Sequence, residues 1–179
     1  MPVQSLTDVP QKAPPFSLPN VDGRTVSLSD FQGKILAVIF TCNHCPYAKA
    51  SWPELIKLAN EYMPKGIDFV AINPNDEVVH PEDSFEVMKE RAKEWNIPFP
   101  YLRDGSQDVA RAYSAQCTPD VFVYDEDRTL QYHGRVNSDW QHPESAETEL
   151  KNALDALLED RSVSVQHPSM GCSIKWRNS

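Results

Sequence analysis

Cys42 and Cys45, in the run Phe40-Thr41-Cys42-Asn43-His44-Cys45-Pro46-Tyr47, are the residues of this chain best suited to covalent chemistry. A thiol reacts as its thiolate, whose ordinary pKa near 8.5 falls to about 3.5–7.5 at helix N-termini and in Cys-x-x-Cys pairs. A spacing of three leaves the sulfurs one helical turn apart, within reach of a disulfide. Cys42 is expected to be the attacking thiolate, placed where a buried strand passes into a helix whose free N–H groups face its sulfur. Cys45 is expected one turn inside as the resolving thiol, and Pro46 suits a first turn that needs no N–H. His44 is expected beside the Cys42 thiolate, where a partly protonated imidazole stabilises the reduced pair and makes it more oxidising. A structural zinc site needs a second ligand pair. Cys117 and Cys172 stand singly, so no metal is assigned and no bound cofactor is required.

Those side chains need a strand before them and a helix after them. Ile35 to Phe40 is apolar throughout, as a strand covered on both faces is. Residues 48–62 carry Leu55, Ile56, Leu58, Ala59 and Tyr62 at helical spacing, with a kink expected at Pro53. Further strands are expected at 16–19, 25–28, 67–72 and 97–102, and a hairpin over 120–134. Helices are expected at 81–95, 108–115 and 146–158. The opening 1–15 reads as a Pro-rich extended lead-in, and 161–179 as an aperiodic but packed tail. This order predicts an α/β fold with a central mixed sheet and helices on both faces. One domain over 1–179 is expected, with its core at about 14–160.

Composition narrows the partners. The 179 residues are 40% hydrophobic and carry a net charge of -9 without any acidic block, which argues against nucleic acid. No apolar run approaches the roughly 20 residues that span a bilayer, so no membrane partner is expected. Residues 1–8 lack the charged and apolar regions of a signal peptide, so a cytoplasmic location is expected. A processed exported form would read the same way.

The motif around Cys42 and Cys45, together with Thr118-Pro119-Asp120, resembles the thioredoxin-like superfamily. It is most similar to the branch that groups alkyl hydroperoxide reductase and thiol-specific antioxidant proteins with thiol–disulfide exchangers. The resemblance runs from Pro14 to about Asp160. The ending Gly171-Cys172-Ser173-Ile174-Lys175-Trp176 resembles a thioredoxin family subgroup. The resemblance implies a thioredoxin-like fold with an N-terminal extension and a strand–helix unit inserted over Asp76 to Leu102. It also implies a cis bond at Thr118-Pro119, with both residues offering backbone groups to an extended substrate.

Two departures from the family pattern stand out. The buried acid of thioredoxin has no match on the wholly apolar strand 35–40, which leaves Glu54 and Lys49 as weak candidates for the proton acceptor of Cys45. The peroxiredoxin pattern Pro-x-x-x-Thr-x-x-Cys is absent, since its Pro and Thr places hold Ile35 and Ile39, or Val38 and Cys42.

The expected activity is thiol–disulfide oxidoreduction on a disulfide-containing protein or a small thiol, with a separate reductant or oxidant to recycle the pair. A peroxiredoxin-like thiol peroxidase is one alternative. A Cu(I)-binding module is another, because His133 could join the two thiols, although a solvent-facing strand histidine is the plainer reading. Cys117 and Cys172 are possible accessory thiols. Cys117 is a third redox thiol or a small core residue, and Cys172 either ties to Cys117 or relays oxidation from the pair.

Overall fold

A computed structural model describes residues 2–178. In chain order the elements are β1 (Pro2–Gln4), β2 (Ser17–Pro19), β3 (Thr25–Ser27), β4 (Ile35–Phe40), α1 (Pro46–Tyr62), β5 (Ile67–Asn73) and α2 (Phe85–Glu94). They continue with β6 (Tyr101–Arg103), α3 (Asp108–Tyr113), β7 (Cys117–Thr118), β8 (Asp120–Tyr124), β9 (Leu130–Gly134), α4 (Glu149–Leu158) and β10 (Met170–Ser173).

Six apolar residues in a row make β4 the centre of a five-stranded sheet of order β6-β5-β4-β8-β9. It pairs in parallel with β5 and antiparallel with β8, so the sheet is mixed. Strand side chains alternate between faces. Ile35, Ala37 and Ile39 meet Trp52, Leu55 and Tyr62 of α1, Met88 of α2 and Leu154 of α4. Leu36, Val38 and Phe40 meet Val109 and Tyr113 of α3 and Leu18 and Val26 of the β2–β3 hairpin. At about 1.5–3 kcal/mol for each large apolar side chain buried, both faces of β4 contribute heavily to stability.

The expected architecture, a mixed sheet covered on both faces, is the one observed; several boundaries differ. The helix expected from 81 begins at Phe85, because the Ser84 hydroxyl accepts the Val87 N–H and caps it there. The last helix begins at Glu149 rather than 146. Helix α1 runs through Pro53, which is exposed and lacks the N–H its turn would use.

The lead-in and the tail each contribute one short strand. β10 lies between β1 and β7 in a separate three-stranded antiparallel sheet, with Pro2 opposite Cys172 and Val3 opposite Gly171. On its other side Cys172 stands opposite Thr118 and Ser173 opposite Cys117. Strands of two to four residues show no readable alternation, which is why the sequence reads as irregular there. Residues 1 and 179, at the ends of the lead-in and tail, lie outside the described residues.

Candidate active site

The chain leaves the C-terminal end of β4 through Thr41, whose N–H donates to the Ile72 carbonyl. Cys42 follows, and Trp52 of α1 donates its indole N–H to the Cys42 carbonyl at 3.1 Å. Helix α1 starts at Pro46, with Cys45 as its extended N-cap at φ -64°, ψ 130°. Sequence reasoning had put the helix terminus at Cys42. Proline disfavours the helical conformation in the residue before it, so Pro46 holds Cys45 outside the helix and makes it the residue at the mouth of the helix N-terminus.

That shift gives the two thiols different surroundings. Hydrogen bonding from the Cys42 thiol, then from the Cys172 thiol and the Ala48 N–H, outweighs burial and pulls Cys45 down to about 5. Cys42 is pushed well above the ordinary thiol range, first by burial and then by its bond to Cys45 and the charge of Asp83. Burial thus opposes ionisation at Cys42, while hydrogen bonding favours it at Cys45. Both are fully covered.

His44 does not stand as a bare cation beside Cys42. Its Nδ1 bonds the Asp83 carboxylate, and its ring stacks on His80 at 5.0 Å. The Asp83 bond raises the imidazole pKa, so the positive charge of His44 is held against a carboxylate rather than offered to the sulfur. Burial works to raise the Asp83 carboxyl, but donors from His44, Asn75 and the Asn43 N–H leave it below the usual carboxylate range.

Asp83 is the residue of this candidate site that sequence reasoning missed. It sits in a single turn, Pro81–Asp83, inside the inserted unit, and is wholly buried. One carboxylate oxygen accepts the Asn43 N–H at 2.6 Å and the other the Asn75 side-chain amide at 2.8 Å. Tyr101 donates its hydroxyl to Asn43 Oδ1 at 2.7 Å, and the Asn73 amide donates to Tyr101 at 3.2 Å. The available signal was the cluster of short polar residues, Asn73, Asn75 and Asp76, at and just after the end of a buried strand. Cys42, His44 and Asp83 bring possible metal-ligand atoms within 4.8 Å of one another. The His44–Asp83 bond occupies one such atom on each of those two residues.

The Thr118-Pro119 peptide bond is cis. Thr118 Oγ1 lies 3.4 Å from Cys42 Sγ, and the Thr118 carbonyl oxygen lies 3.6 Å from Cys45 Sγ. The segment before the proline thus touches both sulfurs. Its backbone edge is not open to an added chain as the resemblance implied, because β10 already pairs with it. Beside Pro119 a cavity of about 270 Å³ opens between Tyr47, Trp140, Asn137 and Met170.

Of the remaining candidates, Cys172 joins the site and the others do not. Cys172 packs against Cys42, Cys45 and Ala48 and is the partly exposed thiol of the group. Cys117 is buried, and its thiol donates to the Pro119 carbonyl. Neighbouring residues of a strand face opposite ways, so Cys117 points away from the face shared by Thr118 and Cys172, and a Cys117–Cys172 tie does not fit this register.

His133 is not a solvent-facing residue. Its Nε2 bonds buried Asp120 at 2.9 Å and its ring stacks on Phe122, so it is turned into the core and is not grouped with the thiols. Glu54 accepts from Asn137 and Thr148 near the start of α4, and Lys49 is exposed. Neither serves Cys45.

Residues 9–133 match the AhpC/TSA family. The chain is 26% identical over 133 residues to the thiol-disulfide oxidoreductase ResA of Halalkalibacterium halodurans, covering 74% of this chain and 68% of that protein. It spans about two thirds of the length of such curated relatives, 65% for the ResA of Bacillus thuringiensis. An uncharacterized conserved protein from Geobacillus kaustophilus superposes with a TM-score of 0.95 at 47% identity, covering 100% of this chain and 98% of that one. A thiol:disulfide interchange protein of the thioredoxin family from Chlorobium tepidum gives a TM-score of 0.59 at 23% identity, over 72% and 87% of the two chains, a likeness of fold. With more than half of its length matched to the family and its sheet and helices arranged as in thioredoxin-like proteins, this chain belongs to the AhpC/TSA family.

Proposed function

We propose that this protein is a thiol–disulfide oxidoreductase in which Cys45 is the nucleophile. What carries this reading is the place of Cys45 at the mouth of α1, packed with Cys42 and Ala48, where hydrogen bonding draws its thiol down to about 5. The Cys45 thiolate attacks one sulfur of a substrate disulfide, forms a mixed disulfide and expels the other sulfur as a thiolate. Cys42 then attacks Cys45, which releases the second substrate thiol and leaves a Cys42–Cys45 disulfide for an external reductant. Substrates are small or protein disulfides, and the relationship to ResA supports that class.

Reduction of insulin or of glutathione disulfide tests the assignment. Cys45→Ser lowers the rate at least about hundredfold, while Cys42→Ser still forms a mixed disulfide once at Cys45. Substantial turnover by Cys45→Ser would refute it. The family match supports a second reading, a thiol peroxidase in which hydrogen peroxide oxidises Cys45 to a sulfenic acid. Rapid peroxide consumption lost in Cys45→Ser, without disulfide exchange, would favour it.

A further inference from the structure

We propose that β10 is a displaceable cover that holds the substrate's place. The Cys42–Cys45 pair reacts when β10 lifts from β7, and the chain that replaces it is an extended segment with glycine directly before a disulfide-bonded cysteine. The inference rests on disulfide exchange at this pair, whichever of its two sulfurs attacks.

The pair is closed as it stands, since Cys42 and Cys45 are both 0% exposed. Exchange brings the attacking sulfur up to a substrate sulfur, which a covered thiol does not reach, so a covering element has to move. Trp52 is fixed in the main core, and Thr118 leads through Pro119 into β8 of the central sheet. β10 is the looser cover. It lies against α1, with Cys172 packed on Cys42, Cys45 and Ala48. Its sheet consists of three strands of two to four residues and shares none with the central sheet. Before it, residues 161–168 run without helix or strand and are mostly exposed. After it, Ile174 is buried and the Lys175 N–H donates to Asn75 Oδ1 at 2.9 Å, a fixed end on which the strand can turn. Lifting breaks the pairing with β7 and the 2.9 Å bond from the Ser169 N–H to Ser5 Oγ, while the core stays closed.

β10 also shows what the uncovered edge accepts. It runs antiparallel to β7, with Cys172 opposite Thr118, and the Ile174 N–H donates to the Gln116 carbonyl at 3.1 Å. Once β10 lifts, that edge is unpaired beside both sulfurs, because Thr118 Oγ1 is 3.4 Å from Cys42 Sγ and its carbonyl oxygen 3.6 Å from Cys45 Sγ. An extended chain pairs with such an edge by strand addition. In the register of β10, its cysteine stands against the pair as Cys172 does. The residue before that cysteine takes the place of Gly171, where a Cβ would lie 2.1 Å from the Thr118 carbonyl oxygen, so the edge selects glycine there. One sulfur of the pair attacks the substrate disulfide and expels one substrate thiol. The other then closes Cys42–Cys45 and releases the second. Two electrons pass from the pair to the substrate, and the two protons of the pair end on the two released thiols.

The test follows release of thionitrobenzoate from three mixed disulfides: with the peptide 169–175 of this chain, with the same peptide bearing alanine for glycine, and with mercaptoethanol. Cys172→Ser silences the tail's own thiol and serves as the reference protein. Gly171→Ala/Cys172→Ser is expected to react with the glycine peptide and the mercaptoethanol probe at least about tenfold faster than the reference, as amide exchange at 170–173 rises. In both proteins the glycine peptide is expected to outpace the alanine peptide at least about tenfold, so this arm stands even where β10 accommodates the methyl group. Equal rates for the two peptides would overturn the proposal, as would faster exchange at 170–173 with no gain in thiol reactivity. If no probe reacts faster than with Cys42→Ser/Cys45→Ser/Cys172→Ser, disulfide exchange at the pair itself fails, and the two failures are told apart.

Discussion

At the scale of single residues, the site turns on which sulfur the helix N-terminus meets. Pro46 keeps Cys45 extended, so the Ala48 N–H and two neighbouring thiols converge on it. A thiol at about 5 is nearly all thiolate by about pH 6.5, whereas a free thiol near 8.5 gains about twentyfold in thiolate between about pH 6.5 and 8. The rate of mixed-disulfide formation at Cys45 is therefore expected to be flat over that interval, as measured by stopped-flow exchange with glutathione disulfide. A twentyfold rise would show that the thiol is not stabilised.

The His44–Asp83 bond gives a second prediction. His44 is raised in the folded protein, so its contribution is complete below about pH 6.5 and is lost as pH rises through the raised value. Asp83 is lowered, so its contribution is present above about pH 3.8 and is lost as pH falls through the lowered value. His44→Asn is thus expected to cost about 1.5–3 kcal/mol near pH 6, and the deficit shrinks toward pH 9. Urea unfolding of both proteins across that range measures it, and a deficit that grows with pH would contradict the assignment.

At the scale of elements, the decisive contact is β10 against β7. The register Cys172 to Thr118 covers the backbone edge before Pro119 and puts a third thiol beside the pair. Gly171 is the residue that permits the approach, with ordinary backbone angles but no room for a side chain. Gly171→Ala should loosen the tail without unfolding the central sheet, which shares no strand with this one. Amide exchange at 117–118 and 170–173 is expected to rise at least about tenfold, with exchange in β4 unchanged. Unchanged protection at 170–173 would mean that the strand accommodates the methyl group.

At the scale of the whole molecule, the two faces of β4 carry the core, and buried polar pairs bind the layers around it. Asp120 and His133, across the β8–β9 pair, are both buried, and one Asp120 oxygen has no hydrogen-bond partner among the described residues. His133→Ala would strand that carboxylate and is expected to cost about 3–5 kcal/mol. The exchange rate at Cys45 should stay within about twofold while the protein remains folded. Loss of thiol chemistry with unchanged stability would place His133 in the site instead.

Much of this architecture could be read from local pattern. The apolar run at 35–40, the strand pattern at 67–72, the helical spacing in 48–62 and the hairpin over 120–134 each state their own conformation, because periodicity and turn chemistry are properties of neighbouring residues. The pair of thiols and the Thr118-Pro119 segment were legible for the same reason. Even the start of α1 was written at Pro46, through the constraint a proline places on the residue before it. The amino-acid order thus determined that two sulfurs stand at a strand-to-helix junction in a mixed α/β sheet. Tertiary structure decided what surrounds each of them, that Asp83 takes up His44, that His133 turns inward, and that Cys172 arrives from the far end of the chain. Those outcomes depend on burial and on contacts between residues 13 to 130 positions apart, and a local pattern holds no record of either.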